Sequence, residues 1–322
     1  MAIIRKFTGM VVVAALISFN MIAQVKNDAI RAFNESVELM KAGEDNVIGS
    51  FENCLKVCEQ VGDSAEDIRQ KVIQVLPGLY YQEAYGYLSA DKNIEKAIMA
   101  SKKTLEIAEK YQNDRIMENT KKLMVQAYSS MASTYYSNKD YDNAISAFDS
   151  VLMINPDHLN SIYNKALIFM GQNNTPKFEE SIDLYIEKLK AEGDTAKVKQ
   201  AQDIALDYFR IAGAKAHQAN KLDEALDLLN NALKYGSDKN VFYHFAGIYN
   251  KQKKFSQAAD YAKKGLEMET GSNEDKAKFY WELGTAQVGK GETADACESF
   301  KSSMYGAFVQ ASKAQRTNLK CQ

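Results

Sequence analysis

Proline, histidine, cysteine and tryptophan are all scarce in this chain of 322 residues. The three prolines, Pro77, Pro156 and Pro176, leave long stretches free of helix breakers. Those stretches are rich in Ala, Lys, Glu, Leu and Gln, so an all-α chain is expected. An excess of one charge is missing too. Lys and Arg number 40 against 42 Asp and Glu, for a formal net charge of -2. The two signs are interspersed, so no basic block marks a nucleic-acid surface and no polybasic run marks anionic lipid. Four cysteines, Cys54, Cys58, Cys297 and Cys321, are too few to staple a secreted scaffold of this length. An oxidising compartment would permit disulfides, but nothing in the spacing requires one.

The motifs of catalysis are also missing. There is no G-x-x-x-x-G-K-[ST] and no G-x-G-x-x-G after a strand, which removes the phosphate loops, and no G-x-S-x-G elbow. His158, His217 and His244 are far apart in sequence and none has an H-E-x-x-H partner. Solvated or groove-facing histidines are therefore expected rather than a metal or catalytic centre. Cys54 and Cys58 share a face of a predicted helix. Two thiolates at that spacing suit a metal, but no further ligands stand nearby, and packing as small hydrophobes is the expectation. A disulfide between them inside a regular helix is not expected. Glu179 beside Glu180 reads as a solvated helix face, and Gly43, Gly213, Gly284 and Gly291 read as turns or close helix contacts. No enzyme is specified and no cofactor is expected.

What is present begins at the N-terminus. "MAIIRKFTGMVVVAALISFNMIAQ" opens with Arg5 and Lys6, runs apolar from Met10 to Phe19, and has no acidic residue before Asp28. This is the form of a secretory signal, with cleavage expected after Ala23 or Gln24. The apolar run is short for a spanning helix, which needs about 20 residues, so an uncleaved anchor is the weaker reading. No cysteine follows the run, so a lipid attachment there is not expected. Residues 1–24 are set aside as a signal peptide, leaving 25–322 to fold, with no transmembrane segment expected after cleavage. A composition 46% hydrophobic and 25% charged fits a folded soluble protein.

Beyond residue 26 the hydrophobic pattern resolves into helical pairs. In "YSSMASTYYSNKDYDNAISAFDSVLMINP", Tyr128, Met131 and Tyr135 fall on one helical face around the small Ala132. "SNKD" offers a break, a second face follows with Tyr141, Ala144, Ile145, Phe148, Val151 and Leu152, and Pro156 closes the stretch. The arrangement returns downstream. Gly213 and Ala216 precede Leu222, Ala225, Leu229 and Ala232; Ala246 and Tyr249 precede Phe255, Ala258, Ala262 and Gly265; Leu283 and Gly284 precede Ala296 and Phe300.

An aromatic, a small pair, a tyrosine, then alanine, phenylalanine and a closing proline resembles the tetratricopeptide repeat. In the stretch quoted, the matching residues are Tyr128, Met131 with Ala132, Tyr135, Ala144, Phe148 and Pro156. Ala225 and Ala258 lie 33 residues apart, close to the family period of about 34. Other copies depart from the pattern. Residues 159–192 put Ser181 in the anchor alanine's place with Tyr185 four later, and "NNTPK" is expected to lengthen their turn. Residues 65–111 carry Ala84, Tyr87, Ile94 and Ala97 on helices that read longer, and residues 27–62 have Val47 and Phe51 at the anchors. The resemblance covers nearly the whole chain after the signal. It implies a right-handed α-solenoid of about seven stacked antiparallel helix pairs, closed by the more polar "GAFVQASKAQRTNLKCQ" as a cap.

In this family the first helix of each pair lines a concave face that holds a partner segment. Carried over residue by residue, that face comprises Tyr81 and Tyr85, then Gln126, Ser129, Ser133 and Tyr136. It continues with Asn160, Tyr163 and Asn164, then Arg210 and His217, and ends with Tyr243, Asn250, Lys251, Trp281 and Thr285. Tyr and Trp there offer apolar area with a polar handle, which suits an interface. Members of the family that hold a C-terminal carboxylate do so with Lys, Arg and Asn in successive repeats. Here Ser129, Ser133 and Asp207 stand where that clamp needs donors, so recognition of an acidic C-terminus is not expected.

The resemblance thus implies a non-enzymatic scaffold binding a protein or peptide partner. With the signal, it would be exported, and in a Gram-negative cell a periplasmic or envelope-complex component. Two other readings stay open: a small-molecule carrier with its pocket around Trp281, Tyr243 and His244, and a self-assembling structural module.

Overall fold

A computed structural model describes residues 26–322; the expected signal peptide lies outside the described residues. Among those residues there is no strand, and no helix is long and apolar enough to cross a membrane. The chain divides into two compact units between Ser161 and Ile162. The first holds α1 (26–42), α2 (Val47–Val61), α3 (Glu66–Ser89), α4 (Ile94–Lys110), α5 (Asp114–Ser137) and α6 (Tyr141–Ile154). The divide falls within α7 (Leu159–Gly171). The second unit continues through α8 (Thr175–Glu192), α9 (Thr195–Gln218), α10 (Leu222–Tyr235), α11 (Lys239–Lys251) and α12 (Phe255–Met268). It ends with α13 (Asn273–Lys290), α14 (Thr293–Ser302) and α15 (Val309–Asn318). Successive helices stack in pairs, and α15 closes against α14.

A recurrent turn sets the pairs. Lys92, Gln112, Lys139 and Asn173 each adopt positive φ, and each is followed by an Asn or Asp that caps the next helix. Asn93 Oδ1 accepts from the Lys96 amide at 3.0 Å and Asn113 Oδ1 from the Ile116 amide at 3.1 Å. One left-handed residue reverses the chain and one short acceptor satisfies an orphan amide of the following helix, so three or four residues suffice. The same economy corrects the expectation for "NNTPK". The turn after α7 is no longer than the others, because Thr175 and Pro176 open α8, where a proline's missing N–H costs nothing. Pro77 departs from punctuation as well: α3 runs straight through it, with the ring buried.

The packing residues sit where the pattern puts them. Ala132 and Ala144 are fully buried and Phe148 nearly so, while Ala225, Ala258 and Ala296 are buried at the corresponding places. Phe51 fills the core of the first pair, beside buried Cys54 and Cys58. Both thiols are free. Burial pushes Cys54 up to about 12, with Cys58 adding to the rise, so it stays a protonated packing group at neutral pH.

The closing helix is held by a bond that the cysteine spacing did not reveal. Cys297 in α14 is joined to Cys321, beyond the end of α15. Ser303 and Ser312 share a hydrogen bond at 2.7 Å beneath the helix, and Arg316 Nη2 donates to the Gln322 carbonyl at 2.8 Å. Little apolar area is buried under α15, so the covalent link carries much of its attachment. Reduction is therefore expected to raise amide hydrogen exchange throughout Val309–Asn318 by about tenfold or more while α9 to α11 exchange as before. Unchanged protection of α15 in the reduced protein would show that the bond is dispensable.

A cleft built by three successive first helices

Helices α9, α11 and α13 are the first members of three consecutive pairs, and α11 touches both of the others. Their register repeats every 34 residues. Arg210, His244 and Lys278 form one line across the three helices, Gly213, Gly247 and Trp281 a second, and His217, Lys251 and Thr285 a third. The lines are three or four residues apart along each helix, so they share one face.

A cleft of about 530 Å³ opens on that face. His217 and Gln218 of α9 form one side, Trp281, Glu282 and Thr285 of α13 the other, and Tyr243, His244, Gly247, Asn250 and Lys251 of α11 lie between them. Gly247 lets two side chains close over the backbone of α11: a Cβ there would stand 2.8 Å from His217 Cε1 and 3.4 Å from Glu282 Oε1. Trp281 is fixed from behind by Phe300 and Phe308, with ring centres 5.3 and 6.0 Å away, and Tyr243 meets Phe279 edge-on at 6.1 Å.

The polar groups are unusually placed. His217 Nδ1 and His244 Nδ1 face each other at 3.3 Å with their rings nearly perpendicular, so one proton is shared between them. Burial lowers both imidazoles to about 4; Lys251 adds to the effect at His217, and His217 adds to it at His244. Both rings are therefore neutral near pH 7. Asn250 Nδ2 donates to Glu282 Oε2 at 2.7 Å and to the Glu282 carbonyl at 2.9 Å. Burial raises the Glu282 carboxyl above its ordinary range, against the pull of Asn250 and Lys251. Two buried acceptor or donor atoms, His217 Nε2 and Asn250 Oδ1, have no protein partner. Leaving such a group unmatched costs about 1–3 kcal/mol.

Of the residues expected on the partner face, the cleft gathers His217, Tyr243, Asn250, Lys251, Trp281 and Thr285. Arg210 borders it in the first line and is engaged by Asp207 at 2.8 Å. Tyr163 rests on Tyr185 at 4.9 Å, and Asn164 is half-buried beside it in α7. The remainder lie in the first unit. Tyr81 and Tyr85 stack along α3 at 6.3 Å with Tyr85 exposed; Gln126, Ser133 and Tyr136 are exposed on α5; Ser129 is half-buried; Asn160 is exposed at the start of α7. Sequence reasoning passed over Gly247, Glu282 and Gln218, and read the histidines as separate. The 34-residue register was the available signal, since it aligns Gly247 with Gly213 and with Trp281.

Residues 125–158 match the family model for the tetratricopeptide repeat. No curated protein matches the chain. Among solved structures, a tetratricopeptide repeat protein from Parabacteroides merdae is similar at 14% identity over 92% of this chain and 99% of its own, with a TM-score of 0.30. MamA is similar at 18% identity over 62% of this chain and 97% of its own, TM-score 0.31. YrrB, described as having an unusual peptide-binding site, is similar at 14% identity over 65% of this chain and 97% of its own, TM-score 0.34. Such scores add nothing about what this chain binds. One copy matches the repeat model outright, and the pairs after it bury Ala225, Ala258 and Ala296 at corresponding places, so residues 125–158 are a tetratricopeptide repeat within a stack of helix pairs.

Proposed function

We propose that the chain is an exported, non-catalytic scaffold that holds an extended segment of a protein partner on the first-helix faces of its repeats. The observation that carries this is the cleft shared by α9, α11 and α13, where three helix pairs contribute to one surface walled by Tyr243 and Trp281. Few contacts of that kind supply most of an interface's affinity. Export is supported by the signal-like N-terminus and by the Cys297–Cys321 bond, since disulfides persist in oxidising compartments. An envelope location follows for a Gram-negative cell.

Crosslinking from the native envelope tests this. The wild-type chain is expected to recover a defined partner, and replacing Tyr136, Tyr243 and Trp281 together with Ala is expected to reduce recovery at least about tenfold with helical content unchanged. Equal recovery by the triple variant would place the partner on another face.

A further inference from the structure

We infer that the Cys297–Cys321 bond is a redox-controlled brace on the cleft, holding Phe308 against Trp281 while it is intact and releasing Phe308 when a dithiol reduces it. This concerns the state of one cleft wall and does not depend on what the cleft holds.

The brace begins on α13. After α14 the chain turns back over the start of that helix, where Asn273 Nδ2 donates to the Tyr305 hydroxyl at 3.2 Å. Gly306 takes a positive φ there and passes so close to Glu274 that a Cβ would stand 2.6 Å from its Oε1. Two residues on, the Phe308 ring reaches Trp281, centre to centre at 6.0 Å. Trp281 has a second ring behind it, Phe300 at 5.3 Å, but Phe300 is buried in the core of α14 and stays in either state. Phe308 is only half-buried and belongs to the tail. It is a positioning residue, acting on the cleft through Trp281.

The other end of the brace is α15, which begins at the next residue. Of its ten residues only Ser312 is buried, so the helix is held mainly by hydrogen bonds and the covalent link. Ser312 meets Ser303, and the Arg316 guanidinium donates to the Cys297 carbonyl. The second Arg316 bond, to Gln322, stays within the tail and anchors it to nothing else. Breaking the disulfide opens the loop that runs from α14 around α15 and frees its far end.

Cys297 and Cys321 are half-buried, so a small reductant reaches them, whereas Cys54 and Cys58 are buried and already reduced. Among the described residues this is the one disulfide. A thiolate of the dithiol attacks one sulfur, the S–S bond breaks, and the other cysteine leaves as a thiolate that takes up a proton. The second sulfur of the dithiol then closes its own disulfide and expels the first cysteine, which is protonated in turn. Two electrons thus pass from dithiol to protein, and in an oxidising compartment the brace stays in place.

Trp281 is the chain's single tryptophan, so its emission reports that wall alone. Acrylamide quenching of the full chain is measured before dithiothreitol, after it and after re-oxidation, with hydrogen exchange in parallel. Reduction is expected to raise the quenching constant at least about twofold, and re-oxidation to restore it. Cys297→Ser with Cys321→Ser should show the raised constant with or without dithiothreitol. Phe308→Ala should show it with the bond intact, and Phe308→Tyr, which keeps the ring, should not. An unchanged constant in the reduced wild type would overturn the inference without any variant. A rise accompanied by lost protection in α9 to α11 would overturn it too, because the bond would then be a staple of the whole unit.

Discussion

Replacing Phe209 with Ala is expected to lower the unfolding free energy of the second unit by about 4 kcal/mol, the upper range for deleting a buried aromatic ring. Phe209 is fully buried in α9 and touches rings from both neighbouring helices. It lies parallel to Tyr235 of α10 at 5.7 Å and at 6.0 Å from Phe178 of α8. Tyr235 in turn donates from its hydroxyl to Asp183 Oδ1 of α8 at 2.8 Å, which ties α10 directly to α8. In a repeat array stability is a sum of repeat terms and nearest-neighbour interface terms, and this ring belongs to an interface. The loss should therefore appear as a lower urea midpoint and as a broader transition, because α8 is uncoupled from the helices after it. Phe209→Leu, which keeps most of the volume, should cost about 1 kcal/mol. A Phe209→Ala loss no greater than that of Phe209→Leu would show that the interface is held elsewhere.

Acidification is expected to destabilise the second unit between about pH 6.5 and pH 4. His217 and His244 titrate near 4 in the fold and near 6.5 in the unfolded chain. As pH falls through that window, the unfolded chain takes up protons that the folded chain refuses, so stability is lost; above it nothing changes, and below it the loss is complete. The rings are half-buried and joined to one another, so their shifts do not add, and a loss on the order of 3 kcal/mol for the pair is expected. Glu282 acts in the opposite sense. Its raised carboxyl favours the fold when protonated, a contribution lost as pH rises through its folded value, so it offsets part of the acid loss. Lys251 acts on His217, and Lys278, Arg210 and Asp238 act on His244, the last in the opposite sense. Urea midpoints followed by Trp281 emission at about pH 7 and about pH 5 should fall for wild type and stay nearly level for His217→Gln with His244→Gln. Parallel falls in the two proteins would assign the acid sensitivity to other groups.

The fold was legible because tetratricopeptide packing is local. Ala132, Ala144 and Phe148 read as core from spacing within about one pair, and the same reading located Ala225, Ala258 and Ala296. The turn before α8 is shorter than "NNTPK" suggests because the first turn of a helix accepts Pro176 readily. The cleft was half legible. Its aromatics and Lys251 followed from the resemblance, but the meeting of His217 with His244 depends on which way two side chains from different repeats lean, and no periodicity within one helix encodes that. Glu282 was hidden for another reason: its importance comes from burial beside Asn250, a property of the neighbouring helix. The Cys297–Cys321 pairing needed α15 to fold back against α14, which a polar stretch does not announce.

The packing of α15 on α14 also bears on which helix faces are open. A stack whose last pair presented a bare face would offer every copy a seat for the first pair of another, and such head-to-tail contacts do not close but grow into filaments. Here α15 lies against α14, and Phe308 just before it covers the back of Trp281. The disulfide makes that cover covalent. The face of α14 beneath α15 is therefore covered for as long as the bond is intact.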